Sequence, residues 1–258
     1  MKKKLIFFDI DGTIVDHFKK EIPKSTIQAL KELKANGHIV AIASGKGPKY
    51  IKEMFDDIDI NTFAALNGNY VSLNDKVIYK QTINPNLVKK FELFCKDKDI
   101  PFTMADEFET KTLFKDKDIV EKYYKEFSAT YPPVIDDIKD YNAYYQMSVM
   151  IKQEDEDKLI PYFKELSFVR MSQYGMNVNP VGGLKEKGIK YILDHSDYTS
   201  DDLVVFGDGL NDMGMFALAK TSVAMGNANE KLKEVATYTT SHISENGIYN
   251  ACKHLNLI

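Results

Sequence analysis

Short apolar runs alternate with helical stripes along most of the chain. Leu5 to Ile10 is almost continuously apolar, the pattern of a strand buried on both faces of a parallel sheet. From about Ser25, Ile27, Leu30 and Leu33 share one stripe, and Asn36-Gly37 is a helix stop signal. His38 to Ala43 predicts a second buried strand, Pro48 to Phe55 a helix, and Phe63 to Leu66 a third strand. Strands separated by helical segments imply βαβ units and a parallel sheet.

The rhythm changes after Asn67-Gly68. Tyr70 to Leu73 and Lys76 to Tyr79, joined at Asn74-Asp75, have the pattern of a hairpin. Beyond Pro85 the periodicity predicts helices near 86–97, 116–128 and 155–166, with strands near 101–105, 144–151 and 168–178. That mixture suggests an α+β unit with its own sheet. The earlier rhythm then resumes with a helix at 185–195, a strand from Leu203 to Phe206, a helix at 211–219, a strand at 222–225 and a helix at 229–235. The economical organisation is one α/β core, residues 1–82 and 180–258, carrying an inserted α+β domain at 83–179. The glycine-rich segment Val181-Gly182-Gly183-Leu184 suits a hinge between the two.

Composition narrows the function. The 258 residues are 44% hydrophobic, enough for a sizeable core. A net charge of -4 argues against a sequence-independent nucleic-acid binder, which needs a basic face. Arg170 is the only arginine, so any bidentate anion clamp rests on it or is absent. Cys95 and Cys252 lack metal-ligand spacing and suit a reducing cytosol as isolated buried thiols. The apolar start imitates a signal peptide, but Asp9 and Asp11 cut it short, and no stretch reaches the roughly 20 apolar residues of a membrane span. The expectation is a soluble cytoplasmic protein, monomeric or a small homo-oligomer.

The chemistry should sit at Asp9-Ile10-Asp11-Gly12-Thr13. Two carboxylates two positions apart on a strand point the same way. In open α/β sheets ligands bind outside the carboxyl ends of the strands, where this pair emerges. One carboxylate can act as nucleophile and the other as acid and base if a cation offsets their charge. Unit charges about 4 Å apart at an effective dielectric of 20 repel by roughly 4 kcal/mol, so an anionic phosphate needs a divalent ion beside them. Magnesium suits such oxygen ligands. A plain turn capped by aspartates is the bland alternative. A calcium loop fails, because its sixth and twelfth positions would be Ile14 and Lys20.

Asp9-Ile-Asp-Gly-Thr-Ile14 resembles the first motif of the haloacid dehalogenase-like hydrolases. Further motifs follow in the family's order along the whole chain: Ala43-Ser44-Gly45-Lys46, Lys187-Gly188 opening a helix, Gly207-Asp208-Gly209-Leu210-Asn211-Asp212, and Val223-Ala-Met-Gly-Asn227-Ala228. The resemblance implies a Rossmann-like, doubly wound parallel-sheet core. The insert has the position and size of the type IIB (C2B) cap of Cof-like phosphatases.

The implied function is a Mg2+-dependent phosphatase for small phosphorylated metabolites, sugar phosphates first, with pyridoxal phosphate or flavin mononucleotide as alternatives. A phosphomutase, or a catalytically silent binding protein on the same fold, are the rivals. Asp9 would form an aspartyl-phosphate and Asp11 would serve as acid and base. Ser44, Gly45, Lys187 and Asn211 would bind phosphate. Asp9, Asp11, Asp208 and Asp212 would surround the metal. Lys187 is preferred to Lys185 because the Lys-Gly pair matches the motif. The second motif often ends in Gly-Arg, and Lys46 here replaces that planar fork by a point charge. Asn67, Arg170 and Asn177 are candidate substrate contacts, whereas Tyr141, Tyr144 and Tyr145 fit the interior of the insert better than a stacking platform.

Overall fold

A computed structural model describes residues 2–16, 19, 21–127 and 129–258. The chain divides into two compact units. One comprises Met1–Lys46, Ile51–Tyr79 and Leu184–Ile258, and the other Gly47–Tyr50 and Lys80–Gly183.

The first unit is built on an eight-stranded sheet in the order β13-β12-β11-β1-β2-β3-β4-β5. Its strands are β1 (Leu5–Phe8), β2 (Ile39–Ala43), β3 (Thr62–Ala65), β4 (Tyr70–Leu73), β5 (Lys76–Lys80), β11 (Leu203–Gly207), β12 (Thr221–Ala224) and β13 (Tyr238–Thr239). All pairs from β13 to β3 are parallel, and β4 runs antiparallel to β3. β1 is central because all four of its residues are apolar and fully buried. Each such side chain contributes roughly 1.5–3 kcal/mol on leaving water. With β2 on one side and β11 on the other, the end of β1 is a topological switch point, where a ligand crevice opens in open α/β sheets. The β4–β5 hairpin turns at Asn74 and Asp75, whose φ values of 49° and 62° are those of a tight primed turn.

Helices α1 (Lys24–Ala35), α2 (Pro48–Met54), α5 (Lys185–Asp194), α6 (Met213–Leu218), α7 (Glu230–Val235) and α8 (Gly247–His254) accompany this sheet in sequence. α1 and α8 pack together, and α5 lies on β3 and β4. The close approach of α5 depends on Gly188, where a β-carbon would overlap Ala64 and the Gly68 backbone. Neither α8 nor β13 was anticipated from the sequence. The expected helix at 211–219 divides into a one-turn 3-10 segment, Leu210–Asp212, and the short α6.

The second unit carries a five-stranded antiparallel sheet in the order β7-β6-β8-β10-β9. These are β6 (Phe102–Ala105), β7 (Thr110–Thr112), β8 (Gln146–Val149), β9 (Leu166–Ser172) and β10 (Gly175–Pro180), with α3 (Pro85–Asp97) and α4 (Asp118–Glu126). Asn84 caps α3 by accepting from the Asn86 N–H. Phe91, Phe102, Phe163, Met147 and Val178 form its main apolar core, into which Tyr144 is also built.

Two expectations in this unit need correction. The helix expected at 155–166 is two short 3-10 segments, Gln153–Lys158 and Ile160–Tyr162. Pro161 cannot donate its backbone N–H, and the run Glu154-Asp155-Glu156-Asp157 repels itself along a helix. The strand expected at 168–178 is the β9–β10 hairpin, broken between Ser172 and Gly175. Each unit buries one free thiol, Cys95 in the second and Cys252 in the first. No helix among the described residues is long and apolar enough to cross a membrane.

Candidate active site

β1 delivers Asp9 to the sheet's carboxyl rim, where its backbone N–H donates to the Phe206 carbonyl at 3.0 Å. The chain then turns sharply: the Ile10 carbonyl accepts from the N–H groups of Thr13, Ile14 and Val15. Gly12 sits in this turn at φ 86°, a left-handed conformation that disfavours any side chain. A β-carbon there would also overlap the Asp208 carboxylate. Beside it, the Thr13 hydroxyl donates to Asp208 Oδ1 at 2.7 Å. The nucleophile loop and the loop after β11 are therefore fitted to one another through Gly12 and Thr13.

Asp212, fully buried, organises that second loop. Its Oδ2 accepts from the N–H groups of Asp208 and Gly209, both at 3.0 Å. Its Oδ1 accepts from Lys185 Nζ at 2.7 Å, and the same ammonium lies 2.8 Å from Asp9 Oδ1. Lys185, not Lys187, is thus the lysine of the site, which corrects the expectation from the sequence. Lys187 instead places its ammonium 5.1 Å from the centre of the Tyr79 ring, which stacks on Tyr191. The two lysines lie about 200° apart around a helix, so both cannot face the same carboxylates.

Asp9, Asp208 and Asp212 offer carboxylate oxygens within 4.8 Å of one another, a group able to hold a cation. Burial, against the pull of Lys185 and helped by the charges of Asp212 and Asp11, pushes the Asp9 carboxyl up to about 7. Burial, then Asp9 and Asp212, hold Asp208 well above the ordinary carboxylate range, with the Thr13 hydroxyl opposing. Lys185 is raised in turn, because its two carboxylates outweigh its own desolvation. Against one buried ammonium stand three carboxylates, an excess of negative charge in a hard oxygen donor set. That chemistry fits a magnesium-like ion. Asp11, also expected among the metal ligands, falls outside this group, and its Oδ2 lies 3.2 Å from Lys46 Nζ.

The loop after β2 supplies Ser44, a buried residue whose Oγ accepts from the Lys46 N–H at 3.2 Å. The Ser44 N–H donates to Ala64, and its carbonyl accepts from Asn67 at 3.0 Å. Asn67, buried at φ 54°, borders the Ser44 loop through that bond. Gly45 lies between Ser44 and Lys46 in this loop, and Asn211 is partly exposed in the Leu210–Asp212 turn.

The two candidates in the second unit are engaged within it. Arg170 bonds Glu156 Oε1 at 2.5 Å and 2.9 Å and the carbonyls of Ile151 and Ser172. Its guanidinium braces β9 against the adjoining 3-10 segment. Asn177 Oδ1 accepts from Ser148 Oγ at 3.0 Å and Tyr123 OH at 3.3 Å, a buried network joining its own sheet to α4.

Three site residues escaped the sequence reading. Thr13 was seen only as part of a motif, and Lys46 only as a departure from one. Asn227 had no role at all. Its amide donates to the Gly12 carbonyl at 2.7 Å and accepts from the Ile243 N–H at 3.1 Å. Around it, Met225 N–H donates to Gly207 and Asn229 N–H to the Asp208 carbonyl. The 225–229 loop is a bracket holding both acid-bearing loops.

A family model described as haloacid dehalogenase-like hydrolase matches residues 6–252. The chain is 36% identical over 258 residues to the provisionally named phosphatase YkrA of Bacillus subtilis, covering 100% of both. A crystal structure of a hypothetical protein from Geobacillus kaustophilus superposes with a TM-score of 0.90 at 33% identity, covering 100% of both chains. A sugar phosphatase of the family's subclass IIB superposes at a TM-score of 0.86 and 32% identity, covering 99% of this chain and 100% of that one.

Proposed function

The chain belongs to the haloacid dehalogenase-like hydrolases and is a phosphatase, and from that premise we propose that it is Mg2+-dependent, hydrolysing small phosphorylated metabolites through an aspartyl-phosphate on Asp9. The observation that carries the reading is the buried Asp9–Lys185–Asp212 chain with Asp208 beside it at the end of β1. Sugar phosphates lead the substrate classes, supported by the similarity to a sugar phosphatase. Pyridoxal phosphate and flavin mononucleotide are the next to assay. The setting we propose is cytosolic, with the protein acting alone or as a small homo-oligomer.

In this mechanism Asp9, Asp208 and Asp212 would hold the ion. When bound, Mg2+ supplies positive charge to the phosphoryl oxygens that the carboxylates would otherwise repel. Lys185 fixes Asp9 by one oxygen, leaving Oδ2 to attack phosphorus. As that P–O bond forms, the bond to the leaving oxygen breaks, and the protonated Asp11 gives the leaving alkoxide its proton. In the second half, Asp11 as carboxylate takes a proton from water, whose oxygen attacks phosphorus. The bond to Asp9 breaks, which restores the carboxylate and releases inorganic phosphate. The Ser44 hydroxyl, accepting from Lys46 N–H, has its own proton to donate to a phosphate oxygen, and N–H groups near the start of a helix favour the same anion. Gly45 and Asn211 complete the proposed phosphate contacts, and Asn67 is the proposed substrate contact beside them.

The test is phosphate release from a panel of sugar phosphates, pyridoxal phosphate and flavin mononucleotide, with Mg2+ and after chelation. Turnover that disappears with the ion and returns on its addition, together with acid-quenched protein carrying a phosphoryl group on Asp9, is the expected result. Full activity in chelator, or a label on another residue, would overturn the proposal.

A further inference from the structure

Lys46 stands where the sequence departs from the family's usual motif, and the structure gives it two connections within one unit. Its ammonium lies 3.2 Å from Asp11 Oδ2, with the side chains about a fifth and a quarter exposed. Its backbone is fixed on both sides: the N–H donates to Ser44 Oγ, and the carbonyl accepts from the Leu66 N–H at 3.0 Å. The stem of the lysine is thus anchored in the loop that carries Ser44, and its head reaches across to the loop that carries Asp11. We infer that Lys46 is a positioning residue for Asp11, holding that carboxylate where it exchanges a proton with the leaving group and with water.

The inference rests on the reading of Asp11 as acid and base. Its physical basis is geometric: an ammonium anchored in the Ser44 loop and lying 3.2 Å from Oδ2 fixes the direction of the Asp11 carboxylate in the neighbouring loop. The ammonium lies against Oδ2, and Oδ1 is the oxygen assigned to proton transfer. Lys46 also turns Ser44, since the serine oxygen that accepts its N–H must send its own proton elsewhere. One residue therefore sets the geometry of the proposed phosphate donor and of the proposed acid.

The experiment compares Lys46→Met, Lys46→Arg and Asp11→Asn with the full-length Mg2+-loaded protein on two esters, para-nitrophenyl phosphate and a hexose phosphate. The first has a stable leaving group and the second an alkoxide that needs a proton. Lys46→Met is expected to lower kcat on the hexose phosphate by about tenfold, with KM nearly unchanged, and to affect the nitrophenyl ester much less. Lys46→Arg, which keeps the charge, is expected to recover activity to within about threefold of the parent. In the Asp11→Asn background, Lys46→Met should cost nothing further, since the group it positions is gone. Equal loss on both esters, a rise in KM alone, no loss, or no recovery by arginine would each overturn the inference. If Asp11→Asn itself fails to discriminate between the esters, the reading of Asp11 falls and this inference with it. If Asp11→Asn discriminates and Lys46→Met does not, only the role of Lys46 falls. Circular dichroism melting of each variant separates misfolding from either outcome.

Discussion

Lys185 is an ammonium with no route to water, and it persists because two carboxylates meet it at 2.7 and 2.8 Å. Removing one member of such a buried set costs roughly 3–5 kcal/mol, because the partners are left uncompensated. Lys185→Met is therefore expected to lower kcat/KM by at least ~10²-fold, whereas Lys187→Met stays within a few-fold of the parent. Steady-state kinetics of the two variants, with melting curves to track folding, checks the assignment. The signal was present in the sequence. Lys185 shares a helical stripe with Gly188, Ile189 and Ile192, all buried, while Lys187 lies off it. Matching the Lys-Gly pair hid that periodicity. The partner of Arg170 was hidden for a different reason: its uniqueness in the chain says nothing of Glu156, which lies 14 residues away and pairs with it.

Among the elements, the core strands were legible because burial on both faces demands continuous apolar runs, as in β1, β2 and β11. Their motifs were legible for the same reason, since each sits where such a run ends. The elements that escaped lack that contrast. β7 is three residues of Thr-Lys-Thr, and the two 3-10 segments of the insert carry helix-like spacing that Pro161 interrupts. The 225–229 loop was legible only as the end of a motif, without a role, because its contacts run through backbone N–H groups and one amide. Asn227→Ala should release the Gly12 carbonyl and let the two acid-bearing loops drift apart. The expected result is Mg2+ affinity lowered by about tenfold in titration calorimetry without substrate, the usual scale for groups that orient metal ligands. Unchanged affinity would show that the loops hold their spacing without the amide.

Across the whole molecule, the first unit is pinned where its two ends meet. The Lys4 N–H donates to His38 Nδ1 at 3.0 Å, and Asn36 Nδ2 donates to the Leu257 carbonyl at 2.9 Å. Burial holds the His38 imidazole below its ordinary value of 6.5, and the charge of Lys4 adds to this, while the nearby Leu257 carbonyl pulls the other way. The folded chain therefore refuses a proton that the unfolded chain accepts. Stability from this group is complete above 6.5 and is lost as pH falls through that value towards the lower folded one. Urea unfolding at about pH 7.5 and about pH 5.5 should show the parent losing more stability than His38→Gln, which can still accept from Lys4. Equal losses would mean that other groups set the acid limb.

The placement of the two cysteines has a practical consequence. Burial drives the Cys252 thiol up to about 12 and the Cys95 thiol higher still, so neither reacts while its surroundings are closed. One sits in each unit, so a maleimide pulse along a denaturant ramp becomes a pair of independent clocks. Peptide mapping of the label then reveals which half of the protein lets go first, without inserting a reporter.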